Sequence, residues 1–275
     1  MSETLDSTPS GTGGASGGAA GAVRPVLQID DVKVHFGGVK AVDGISMELM
    51  PGMIHGIIGP NGSGKSTLIG AVTRLTKLTS GRLLFDGEEY QGAPPSVVAR
   101  KRVSRTFQTV RLLPDLTVAQ NIQLGADARD DAKAGNPLAR LIGNRVSPAV
   151  GEAIERTNLQ GFEDYYPAEL SYGTQRRVEI ARAIATGPRL LLLDEPTAGM
   201  NQTERAEISR LMRSLRSDGL CQLLVEHDVQ MMIDTCDHVY AMNFGRLIAE
   251  GTPTDVVRSP QVQEAYLGRK WREHA

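Results

Sequence analysis

The chain has 275 residues, 40% apolar and 23% charged, with a net charge of −2. That size supports one large domain or a domain with a subdomain, and the near-neutral balance excludes the global basic field that drives nucleic-acid binding. Its two cysteines, Cys221 and Cys236, stand outside any CxxC or Cys/His cluster, which favours buried thiols over a disulfide or metal centre.

Residues 1–24 are rich in Gly, Ser, Ala and Thr and lack large apolar side chains, so a disordered tail is expected there. Its acidic, polar start is unlike a secretory signal. No apolar run reaches the roughly 18 to 20 residues of a membrane helix, so a cytosolic chain that meets a membrane only through a partner is expected. The folded domain is placed at 25–250, with short helices over 251–275.

Leu27, Ile29, Val32 and Val34 alternate as in a half-buried strand, and Ile45 to Leu49 repeat the pattern before Pro51-Gly52, which predicts two short antiparallel strands. The apolar run 53–59 ends at a glycine and reads as a buried strand, with a helix to follow from Lys65 to about Leu75. A further strand is expected at 82–87, turning at Asp86-Gly87. Residues 108–172 change character: helical spacing near 117–129, Gly and Pro interruptions at about 130–147, and helical spacing again near 150–159. This stretch reads as a helical insert covering one edge of the sheet. Thereafter helix (174–186), strand (189–195), helix (202–218), strand (221–227), helix (229–236) and strand (238–245) alternate, which predicts a parallel sheet and an α/β fold.

Residues 59–66, GPNGSGKS, match GxxxxGK[ST] and sit where a strand gives way to a helix. Gly59, Pro60, Asn61, Gly62, Ser63 and Gly64 would curl so that backbone N–H groups point at one anion, reinforced by the helix N-terminus. Lys65 would meet the β- and γ-phosphates of ATP, Ser66 would offer a hydroxyl to Mg²⁺, and Thr67 would add an α-phosphate contact. The partner site is read in Asp194-Glu195, which end four consecutive leucines and so stand at the tip of a buried strand. Asp194 would hold Mg²⁺ through water, and Glu195 would orient or deprotonate an attacking water.

LSYGTQRR at 170–177 resembles the signature motif of ATP-binding cassette (ABC) ATPases, and the resemblance extends over about residues 26–270. It implies a P-loop ABC ATPase core with a mixed or parallel sheet, an N-terminal antiparallel part and a helical subdomain. It also implies that Ser171 and Gly173 face the γ-phosphate held by a second subunit, in a homodimer or a paralogous heterodimer. By the same resemblance Gln108 is the Q-loop glutamine that meets the metal and water. Residues 198–201 form the D-loop that crosses the dimer interface, His227 is the switch histidine, and Phe36, with Val42 beside it, stacks on adenine. Tyr172 and Thr174 depart from the usual signature residues.

One cassette, no heptads and no CxxC favour a transporter subunit over repair, chromosome-organising or translation relatives. FGGVKAVDGIS, PTAGMN, VEHD and GRLIAEGTP together resemble the ATPase subunits of branched-chain amino acid uptake systems. That resemblance implies membrane permeases as partners at the cytoplasmic face of the membrane, with a solute-binding protein acting indirectly. The alternatives are an importer of urea, short amides or other small organic solutes of the same subgroup, a soluble cassette ATPase without a permease, and a nucleotide-binding module without turnover.

Overall fold

The computed structural model describes residues 23–131 and 147–267. The expected tail falls almost wholly outside them, as do the interrupted stretch at 132–146 and residues 268–275.

Four strands form an antiparallel sheet: β1 (Leu27–Phe36), β2 (Val39–Leu49), β4 (Ser80–Phe85) and β5 (Glu88–Glu89), in the order β2-β1-β4-β5. β1 and β2 make one long hairpin rather than two short strands, with register shifts that bend it. Lys40, Asp43 and Gly44 interrupt the hydrophobicity pattern over β2's first half, yet Val42 among them is fully buried.

The second sheet is β10-β9-β3-β8-β7-β6. Its strands are β3 (Ile54–Ile58), β6 (Val103–Arg105), β7 (Leu190–Asp194), β8 (Cys221–Val225), β9 (His238–Asn243) and β10 (Arg246–Gly251). All neighbours are parallel except β10, which returns antiparallel on β9 and which the sequence pattern missed. β6 was missed as well, being three residues long with one buried apolar side chain.

Why four leucines stand in a row becomes clear from the two faces of this sheet. Leu190 and Leu192 pack toward α1 (Lys65–Val72) and the antiparallel sheet. Leu191 and Leu193 pack toward the helices on the other side. A strand covered on both faces has no polar side to alternate with. The helices on that second side are α3 (Val118–Asp131), α4 (Pro148–Arg156), α5 (Tyr172–Ala185), α6 (Gln202–Ser217) and α7 (Val229–Thr235). Gly125 lets α3 lie against α5, since a Cβ there would stand 2.0 Å from the Arg182 carbonyl oxygen. A short α2 (Pro95–Arg100), opened by a proline, precedes β6, and α8 (Pro253–Arg258) and α9 (Pro260–Val262) follow β10, with a last helical turn over Gln263–Leu267.

Candidate active site

In the parallel sheet β3, β8, β7 and β6 are successive neighbours, so the loops leaving their C-terminal ends are brought together. These loops carry, in that order, the glycine-rich segment, His227, the Asp194-Glu195 pair and Gln108.

The glycine-rich loop is a backbone construction. Gly59 and Gly64 have φ of +155° and +105°, and a Cβ at either would lie 2.2 Å from the Met242 carbonyl oxygen or 2.1 Å from that of Ala41. The loop is therefore wedged between β2 and the end of β9, where no other residue fits. No side chain caps α1, whose N-terminal amides are left to an anion. Lys65 is buried and donates its ammonium to the carbonyls of Gly59 (2.8 Å) and Pro60 (3.0 Å). Burial pushes its pKa down, while Glu195 and Asp194 pull it back up, which places both carboxylates within electrostatic reach. Ser66 is exposed and Thr67 half-buried, while Ser63 is buried with no partner for its hydroxyl.

The acidic tip is built instead from side chains of distant segments. Asp194 is buried and accepts from the Arg105 guanidinium at 2.9 Å. Glu195 leaves the strand with φ +46°, a left-handed conformation held because its N–H donates to the Val225 carbonyl at 2.8 Å. Its carboxylate accepts from the Gln108 amide at 2.8 Å. The glutamine expected in the Q-loop and the expected base are thus in direct contact.

His227 is exposed, with Nδ1 3.7 Å from the carboxylate of Glu226. Glu226 passed unremarked in the sequence. It is wholly buried, and it accepts from the backbone N–H (2.9 Å) and hydroxyl (2.6 Å) of Thr197, just before the D-loop. Burial pushes its carboxyl pKa up.

Ser171 caps α5, its hydroxyl accepting from the Thr174 N–H at 3.2 Å. The unusual Thr174 turns its own hydroxyl to within 3.0 Å of Ser171 Oγ, so the departure from the motif reinforces the cap. Gly173 packs on α6, where a Cβ would meet a Glu204 carboxylate oxygen at 2.6 Å. Ser171 and Gly173 line a small cleft with Met200, Glu204 and Ile208, whereas Pro60 to Ser63 line another. Among the described residues, the clefts lined by the signature and by the phosphate loop are thus separate.

The adenine expectation needs one correction. Phe36, near the tip of the β1–β2 hairpin, is 55% exposed and can offer a ring face, but Val42 has no accessible surface and belongs to the core. Its hydrophobic partners claim it, and it backs the strand rather than facing a base. A second exposed ring, Phe244, borders the cleft of Pro60 to Ser63. Sequence reading enclosed it in a strand running to 245; β9 in fact stops at Asn243, and Phe244 turns out at φ +46°.

Comparison with known proteins agrees with this arrangement. Residues 42–198 match the ABC transporter family, and residues 246–271 match the branched-chain amino acid ATP-binding cassette transporter family. The chain is 37% identical over 251 residues to the high-affinity branched-chain amino acid transport ATP-binding protein BraF of Pseudomonas aeruginosa, covering 89% of this chain and 98% of the relative. It is 36% identical over 253 residues to the corresponding LivG protein of Escherichia coli, with the same coverages. A nucleotide-free ATP-binding cassette from an ABC transporter superposes with TM-score 0.76 at 32% identity, covering 89% of this chain and 100% of that one. A dimeric cassette in a post-hydrolysis state with ADP and phosphate superposes with TM-score 0.69 at 25% identity, covering 82% and 98%. With a phosphate loop, an acidic strand tip and a signature helix in family order, the chain belongs to the ABC transporter family, as an ATP-binding and ATP-hydrolysing cassette of its branched-chain amino acid group.

Proposed function

We propose that this chain powers the import of branched-chain amino acids, as one of two ATPase subunits docked on permeases at the cytoplasmic face of the membrane. The cargo rests on the match over residues 246–271 and on the function named for BraF and LivG. Among the described residues no helix is long and apolar enough to cross a membrane, so the permease supplies the passage.

The hydrogen bond from Gln108 to Glu195 carries the mechanism, because it joins the loop leading into the helical insert to the proposed general base. Ser171 and Gly173 stand in a cleft apart from the phosphate loop, which fits a site completed by a second subunit's signature. Glu195 accepts the proton of the attacking water, His227 meets the γ-phosphate from β8, and Lys65 turns from its carbonyls to the β- and γ-phosphates. The loop amides of residues 59–64 and the hydroxyl of Thr67 complete the cradle.

The donor set suits Mg²⁺: the hydroxyl of Ser66, the carboxylate of Asp194, and the carbonyl oxygen of Gln108, whose amide nitrogen is turned to Glu195, are all hard oxygens. Bound with ATP, Mg²⁺ would neutralise charge that develops on the phosphates.

Reconstitution of the chain with its permeases and solute-binding protein tests the reading. Leucine, isoleucine or valine should stimulate Mg²⁺-dependent phosphate release. Stimulation by urea or short amides alone would overturn the cargo, and no phosphate release under any condition would overturn the motor role.

A further inference from the structure

Arg176 is the largest fully buried side chain among the described residues, yet it carries a permanent charge. Such a group persists only where neighbours compensate it, and here its two terminal nitrogens are engaged while Nε is buried without a partner. Its partners come from three segments. Within α5 it pairs with the buried carboxylate of Glu179. From the Q-loop it receives the carbonyls of Phe107 and Gln108, the latter at 2.7 Å. From the tip of β7 it receives the carbonyl of Glu195 at 3.2 Å. Glu179 returns to the same loop by accepting from the Phe107 N–H at 3.4 Å.

The side chains of Gln108 and Glu195 meet at 2.8 Å, and the backbones of both are tied to one guanidinium. A planar fork with five donors holds several acceptors in fixed relative positions, which a lysine ammonium does not. The fork stands five residues after Ser171 on the same helix, roughly one and a half turns along it. One rigid helix therefore begins at the signature and grips both the glutamine and the base.

From this geometry we propose that Arg176, braced by Glu179, is a positioning residue for ATP hydrolysis that sets Glu195 and Gln108 on one another and couples them to the signature end of α5. Arg176 touches neither nucleotide nor water; it acts through the two groups that would. The inference rests on the roles proposed above for Glu195 and Gln108.

The test uses the full chain assembled with its permeases. Replacing the pair together, Arg176→Met with Glu179→Met, keeps volume and leaves no buried charge unpaired. ATP affinity, measured in EDTA, should stay within about twofold, while kcat falls on the order of ten- to a hundredfold, the size of effect expected of a slightly misplaced catalytic group. Arg176→Lys, which preserves the charge beside Glu179, should fall between this variant and wild type and serves where the double variant does not accumulate. On a Glu195→Gln background the paired change should add no further loss, because the group being positioned is already gone.

Wild-type kcat in either variant overturns the inference, as does a parallel loss of ATP affinity and kcat, which marks a merely structural role. Losses that multiply with Glu195→Gln also overturn it. Glu195→Gln alone turning over at the wild-type rate removes instead the reading on which it rests.

Discussion

The phosphate loop and the acidic strand tip leave two strands of one sheet, β3 and β7, that flank β8, yet they are built from different materials. The loop is contiguous and made of backbone: its glycines fit between β2 and β9, and even Lys65 is held by the loop's own carbonyls. The tip is assembled from side chains of four segments, with Glu195 held by Gln108 and Arg176, Asp194 by Arg105, and Glu226 beneath His227. A backbone cradle confers affinity that is hard to lose by changing any one side chain. A side-chain assembly confers turnover that can be lost while affinity stays. Mutations should therefore separate binding from hydrolysis along this division.

The largest expected effect lies at the tip. Glu195→Gln removes the proton acceptor but keeps an oxygen for the Gln108 amide, so kcat should fall by about 10² to 10⁴ or more, with ATP affinity retained. A trapped dimer in ATP, seen by sizing, would sharpen the contrast. Wild-type turnover would break it.

The next effect tests the strand that delivers the loop. His55, near the start of β3, accepts from the Met50 N–H at 2.8 Å, and its Nδ1 is buried without a partner. Burial, with His238 nearby, lowers its pKa to about 4. A histidine depressed in the folded state binds its proton more tightly when unfolded, so its contribution is complete above about pH 6.5 and is lost as pH falls from there toward about 4. The loss amounts to about 3 kcal/mol at most. Denaturant titrations across that range should show the slope, and His55→Gln, which keeps an acceptor but no titrating group, should remove it.

Smaller again is Lys65→Ala. Charge-assisted bonds of this kind are worth about 1.5–3 kcal/mol, so ATP should bind about ten- to a hundredfold more weakly, by titration with labelled nucleotide in EDTA. Full affinity would mean that the loop amides suffice and that the contrast between the regions is sharper than supposed.

The same division governs what the sequence reveals. The glycine-rich loop could be read because its function depends on contiguous residues, and β7 because four leucines betray a strand buried on both faces. Asp194 and Glu195 could be read from the end of that strand, whereas Gln108 and His227 could be placed only through the order of family motifs. Arg176 could not be read at all: its three carbonyl acceptors lie 69, 68 and 19 residues away along the chain, and an arginine three residues before a glutamate in a helix looks like a solvated one. Glu226 was masked in the same way by the more conspicuous His227. β6 and β10 escaped because short or edge strands bury too few side chains to set a period.

The smallest effect on the fold, and the most direct on pairing, is expected at Gly173. An added methyl would meet a carboxylate oxygen of Glu204 at 2.6 Å, the far end of a flexible side chain. That side chain also accepts from the Asn201 N–H at 3.0 Å as half of the box that starts α6. Its displacement should therefore cost the isolated chain about 1 kcal/mol or less. Nucleotide binding should not change, because Gly173 lines a cleft apart from Pro60 to Ser63. Closure of the pair is different, since the methyl, or the carboxylate it pushes aside, intrudes on the surface proposed to meet the partner's γ-phosphate. Gly173→Ala in a Glu195→Gln background should thus weaken the ATP-bound dimer severalfold in sizing experiments while the unfolding midpoint barely moves. A dimer as stable as that of Glu195→Gln alone would mean that the signature does not complete the second subunit's site.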